Sequence, residues 1–173
     1  IAIIRHPDNV VRELERMMRY GILGQYIPAF GQVIGHMQHD LFHSYTVDQH
    51  SFRAIKFIRH LRYGTEKELF PLASKLIHNI AKKEILYIAA LMHDVGKALP
   101  GDHEVTGAEL TEQFCIQHGL SQKDTDLIVW LVRNHLLFSQ ASQRIDIADA
   151  DPIHHFATQI GDQRHLEYLY VLS

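Results

Sequence analysis

The chain has 173 residues, 46% of them hydrophobic and 21% charged, enough for one domain with a sizeable core and in balance for a globular fold in water. Lys+Arg 17 against Asp+Glu 20 leave a net charge of −3, which offers no polybasic footprint for nucleic acid. No apolar run reaches membrane-spanning length, and the single cysteine, Cys115, cannot close an intrachain disulfide, which points to the cytoplasm.

The apolar spacing is helical nearly throughout. The expected fold class is therefore all-α, a compact helical bundle. No linker or repeat divides it, so 1–173 read as one domain, with 1–45 as a helical lead-in and 46–173 as the core that carries the site. A first helix is expected from Asp8 to Tyr20, capped by Asp8 and stopped by Gly21. Gly24, Pro28, Gly31 and Gly35 break the stretch to Phe42 into short turns. Thr46-Val47-Asp48-Gln49 reads as a capping box opening a long helix that stops before Gly64. Further helices are expected over Pro71–Ile80 and Lys83–Val95. Asp102 caps one ending at Gly119, and Ser121 caps one running through Leu136. Asp151–Ile160 and the stretch from Asp162 onward complete the bundle. The start at Ile1 and the end at Ser173, within the apolar run Leu169–Leu172, give the expectation of a piece of a longer polypeptide.

The chain carries 14 histidines, a surplus that raises the expectation of a metal or acid–base site. Residues three, four, seven or eleven apart share a helix face. By that test His50 aligns with Ala54, Phe57 and Leu61, and His93 with Ala89 and Leu86. His103 aligns with Gly107, Leu110 and Phe114, and His135 with Leu131 and Ile128. Any one of these alone reads as a core histidine bonded to a backbone carbonyl. Four, each ending an apolar stripe on a different helix, favour convergence on a shared divalent cation. Asp94 beside His93 can bridge two cations through its two oxygens. Lys97, four residues after His93, either points the same way to meet a phosphate oxygen or is a cation at a helix C-terminus.

The remaining histidines read differently. His60 shares its side with Arg53 and Lys56 and is expected in solvent. His78, His118 and His165 read as surface, His154 and His155 as capping or surface, and His6 as nonspecific. His39-Asp40 repeats the dipeptide without an apolar stripe, and His36 and His43 are placed on the pocket rim. Asp149 and Asp151 read as a turn plus a cap, and Cys115 as core.

The order His50 … His93-Asp94 … Lys97, followed by His103 and His135, resembles the HD superfamily of metal-dependent phosphohydrolases. Longer strings narrow the resemblance: Phe30 to Gly35, Asp40 to His50, Leu91 to Lys97, Gly101-Asp102-His103, Leu131 to Leu137 and Tyr168 to Leu172. From about Asn9 onward these are similar to the HD domains of bacterial bifunctional uridylyltransferase/uridylyl-removing enzymes, which modify the nitrogen-signalling protein PII. The resemblance implies the helical HD fold and hydrolysis of the tyrosyl-uridylyl phosphodiester on uridylylated PII, releasing UMP. It implies nucleotidyltransferase and ACT-type domains flanking this piece in a longer chain. It also implies a last aspartate ligand on the final helix, past a string like Tyr168 to Ser173; Asp162 does not match that place.

The expected metal ligands are His50, His93, Asp94, His103 and His135, holding Mg or Mn, with Fe or Zn also suited to such donors. Asp94 is the bridging catalytic carboxylate. Lys97 neutralises charge on the phosphate, and Asp102 orients the His103 ring. Two alternatives stand beside this: an HD phosphohydrolase acting on a free nucleotide, alarmone or cyclic dinucleotide, and a non-catalytic metal- or nucleotide-binding module.

Overall fold

The computed structural model describes residues 1–6, 9–37, 45–145 and 149–173. The lead-in forms α1 (Ala2–Arg5), α2 (Val10–Arg19), α3 (Ile22–Tyr26) and α4 (Pro28–Gly31). Asp8, the expected cap of α2, lies outside the described residues, as do His39-Asp40 and His43. Asn9 holds the N-cap position instead, at φ 67°. α3 and α4 were expected as turns and are single helical turns packed at close range. A Cβ on Gly31 would sit 2.7 Å from the Gly24 carbonyl oxygen.

The long helix α5 (Val47–Tyr63) ends at Gly64 in a left-handed C-cap, φ 76°, as the sequence predicts. Its expected capping box does not form. Thr46 holds the N-cap position without a side-chain bond. The Asp48 carboxylate instead accepts the Gly35 N–H at 3.0 Å, which ties the lead-in to α5. α6 (Pro71–Asn79) opens on proline, whose missing N–H costs nothing at a helix start.

α7 (Lys83–Met92) is the centre of the bundle. Every residue from Ile85 to Met92 is buried, as befits a helix that is apolar on all sides. It packs against α1, α5, α9 (Gln122–Arg133) and α12 (Gln163–Leu172). It ends at Met92 rather than at the expected Val95, because the chain tightens into a 3-10 turn over Val95–Ala98. There the Lys97 N–H bonds the Asp94 carbonyl at 3.1 Å.

α8 (His103–Gln117) starts where expected, with the Asp102 carboxylate accepting the N–H groups of Glu104 at 2.9 Å and Val105 at 3.4 Å. α9 is capped by Ser121 but stops at Arg133 rather than Leu136. The Asn134 amide donates to the Trp130 carbonyl at 2.8 Å, and a separate α10 (Leu137–Arg144) follows. α11 (Ala150–Ile160) is capped by Asp149 and α12 by Asp162, so Asp149-x-Asp151 forms the turn and cap expected of it.

One apolar cluster runs from Ile4 to Val171 and takes in Leu23, Phe30 and Val33 of the lead-in. Cys115 lies fully inside it, and burial pushes its thiol up to about 12. Among the described residues no helix is long and apolar enough to cross a membrane.

Candidate metal centre

His93 and Asp94 follow directly on α7, so the most buried helix delivers them to one point. Asp94 is 1% exposed. Around it stand His93 Nε2 at 3.2 Å and His50 Nε2 at 3.9 Å from Oδ2, and His135 Nε2 at 3.5 Å from Oδ1. The Lys97 ammonium donates to Oδ2 at 2.8 Å. Lys97 reaches the site through the 3-10 turn, not through a continued helix. The imidazoles form a chain: His50 to His93 and His93 to His135 at 5.1 Å between ring centres, His135 to His103 at 5.6 Å.

The space this needs is supplied by Gly96. A Cβ there would meet the His103 carbonyl oxygen at 2.2 Å and the Gly107 nitrogen at 2.8 Å. The 3-10 turn therefore presses directly on the first turns of α8, which brings His103 to the far side of Asp94.

Proton positions follow from the partners. His93 Nδ1 lies 2.9 Å from the Ala90 carbonyl and His135 Nδ1 lies 2.7 Å from the Val132 carbonyl. A carbonyl only accepts, so each Nδ1 must donate. In the neutral ring Nε2 then carries a lone pair, and it faces a carboxylate that also only accepts. Acceptors in such an array need a cation among them. Asp94 Oδ1 and His103 Nε2 are buried and have no hydrogen-bond partner, a costly state for polar atoms in a protein interior.

Burial would raise the Asp94 pKa, but His93, His135 and Lys97 outweigh it and hold the carboxyl well below its usual range. Burial, then the nearby charges of His135 and Lys97, lower the pKa of His103. The site therefore favours an ionised carboxylate and a neutral His103, both in ligating form. Two groups of ligand atoms result, His50/His93/Asp94 and Asp94/His103/His135, each with its atoms within 4.8 Å of one another. They share Asp94. The donor set of imidazole nitrogen and carboxylate oxygen, with two orphaned atoms in it, fits divalent ions.

Asp102 was expected to orient the His103 ring; the bonds its side chain makes are those of a helix cap. Its Oδ1 holds the α8 cap, and His103 Nε2 has no hydrogen-bond partner. It fixes where α8, and so His103, begins.

The centre opens into a cleft of about 930 Å³ bordered by α5 and α10. The His50 stripe lines this cleft: Ala54 and Phe57 are half-buried on its wall. The core face of α5 is instead Ser51, Ile55 and Ile58. His60, expected in solvent, borders the cleft as well and stands 3.5 Å from Glu66. Tyr45, Arg53 and Ser139 also line it and were not singled out in the sequence. Arg53 was legible, since it lies one turn from His50. His78 and His118 each bond the carbonyl four residues back, and His165 bonds Asp162. His36, His154 and His155 are exposed, and His36 does not border the cleft.

The HD domain family model matches residues 47–160. Over all 173 residues the chain is 54% identical to the bifunctional uridylyltransferase/uridylyl-removing enzyme of Pseudomonas fluorescens. It is 52% identical to that of Pseudomonas putida and 50% identical to that of Stutzerimonas stutzeri. The chain spans 19% of the length of these curated relatives.

Proposed function

The chain belongs to the HD domain family, and we propose that it is a metal-dependent phosphodiesterase domain that removes the uridylyl group from uridylylated PII and releases UMP. The observation that carries this reading is Asp94 shared between two ligand triads, with its Oδ1 and His103 Nε2 buried and unbonded. Its support beyond the site is the identity to enzymes named as uridylyl-removing. Among the described residues the ligand candidates fall within 46–173, the proposed site-bearing core, against which α1, α2 and α4 of the proposed lead-in 1–45 pack.

Divalent ions, Mg²⁺ or Mn²⁺ in this proposal, would polarise a phosphoryl oxygen and acidify water. The residues contribute the rest. The carbonyls of Ala90 and Val132 fix the His93 and His135 rings with Nε2 lone pairs inward. Asp94 stays ionised beside the Lys97 ammonium. Lys97 uses one donor on Asp94 and keeps two for a phosphoryl oxygen, where its charge offsets that developing in the transition state. Asp102 acts through the α8 cap. In the same reading the domain works in the cytoplasm, with neither nucleic acid nor membrane as partner, beside nucleotidyltransferase and ACT-type domains in the whole protein.

The test is metal content and UMP release from uridylylated PII, with Mn²⁺ present, for the unaltered chain, His93→Ala and Asp94→Ala. Both variants are expected to lose bound metal and to release UMP at least a hundredfold more slowly, a scale set by the loss of a ligand or its support. Unchanged metal content in both would sink the proposal.

A further inference from the structure

Beyond the metal centre, the cleft has a chemistry of its own. Arg53, Lys56 and His60 succeed His50 along α5, and all four border the cleft. Among the described residues no Asp or Glu borders it, although acids outnumber bases in the chain; Glu66 approaches the His60 end. At the mouth, the Arg53 guanidinium lies 4.3 Å over the Tyr45 ring. Both side chains are exposed, so the stacked pair is presented to the cleft rather than consumed by the core. Arg53 follows His50 by three residues, about one helical turn, and both border the same cleft. Ala54 and Phe57 add an apolar surface to the same cleft wall.

A flat cationic and aromatic pair on the wall of a cleft that also reaches a carboxylate–imidazole centre suits the chemistry of a nucleotide: anion at one end, stacked base at the other. We propose that Tyr45 and Arg53 form a base-stacking subsite for a nucleoside 5′-monophosphate group whose phosphate occupies the Asp94 centre. This rests on the phosphodiesterase reading and adds to it where the base is held.

The test measures binding of UMP, ribose 5-phosphate and inorganic phosphate to the chain in saturating Mn²⁺, by calorimetric titration. The unaltered chain is expected to bind UMP about tenfold more tightly than ribose 5-phosphate, the scale of one stacked base. Tyr45→Ala and Arg53→Ala should each remove most of that preference and leave phosphate and Mn²⁺ binding in place. Tyr45→Phe, which keeps the ring, should retain it. Both sites are exposed, so folding is not at stake, and the retained Mn²⁺ binding verifies this in each variant.

UMP binding no tighter than ribose 5-phosphate would overturn the subsite, as would equal losses of UMP and phosphate affinity in the alanine variants. Metal and phosphate binding without base preference refutes this inference alone. Base preference that depends on Tyr45 and Arg53 in a chain that takes up no Mn²⁺ refutes the metal reading alone. A chain that binds none of these probes refutes both.

Discussion

Replacing Gly96 with alanine is expected to separate the two halves of the centre. The added Cβ would lie 2.2 Å from the His103 carbonyl oxygen, 2.8 Å from the Gly107 nitrogen and 2.9 Å from the His103 carbonyl carbon. All three are backbone atoms, so no rotamer change relieves them. Ordinary contact requires the turn and α8 to part by about 1 Å. Gly96 is not among the glycines with positive φ, so the penalty is one of space alone. Overpacking of this kind costs about 1–3 kcal/mol. At about 2–4 °C per kcal/mol for a chain of this size, Tm should fall by about 2–12 °C. The same displacement carries His103 away from Asp94 and opens the Asp94/His103/His135 group, while His50 and His93 lie across the contact and stay. Thermal unfolding in chelator reads the first effect, and Mn²⁺ titration reads the second as a weakened or lost site beside a retained one. Unchanged Tm with unchanged metal binding would refute the reasoning. Gly119→Ala is the contrast, since that glycine has φ +65° and no atom within 4 Å of the added Cβ. Its cost of about 1–2 kcal/mol should come from left-handed backbone, with metal binding untouched.

Asp102→Ala should lower stability by about 1 kcal/mol through loss of the α8 cap and weaken metal binding through His103. Asp102→Ser, which restores a capping oxygen, should recover both, and a failure to recover metal binding would give the carboxylate a task other than capping. Saturation with Mn²⁺ at a hundred times its Kd should stabilise the fold by about 2.7 kcal/mol and raise Tm by about 5–11 °C; a Tm indifferent to Mn²⁺ and chelator would count against the centre. Cys115, buried with its thiol pushed up to about 12, should not react with Ellman's reagent at pH 8 until denaturant is added. Prompt reaction of the folded chain would contradict that burial.

The parts legible in the sequence were those set by local rules. Helical spacing placed His93, His103 and His135 on inward stripes, and the caps at Asp102, Ser121 and Gly64 followed from side chains that satisfy helix ends or tolerate positive φ. The misreadings arise where helical spacing alone does not carry the deciding bond or shape. Thr46 and Gln49 have the spacing of a capping box, but Thr46 Oγ1 makes no bond, and the first turn of α5 is tied instead through Asp48 to the Gly35 N–H. Apolar spacing continues through Leu136 and Leu137, yet the Asn134 amide closes α9 on Trp130. Polar neighbours sent His60 to solvent, whereas that face of α5 is a cleft wall, and a cleft has the polarity of a surface. Gly96 gave no signal of its own, because its partner across the contact is the backbone of His103 and Gly107.

The two walls of the site differ in how they open. α7 is buried on every side from Ile85 to Met92, whereas α10 buries none of its residues fully. Backbone amides of a helix like α7 exchange with solvent only when the whole domain unfolds, while those of a peripheral helix exchange through local opening. His93 and Asp94 are therefore anchored to the last part of the molecule to come apart, and Ser139 sits on a part that opens early. A local excursion of α10 would widen the cleft while the His93 and Asp94 atoms keep their spacing.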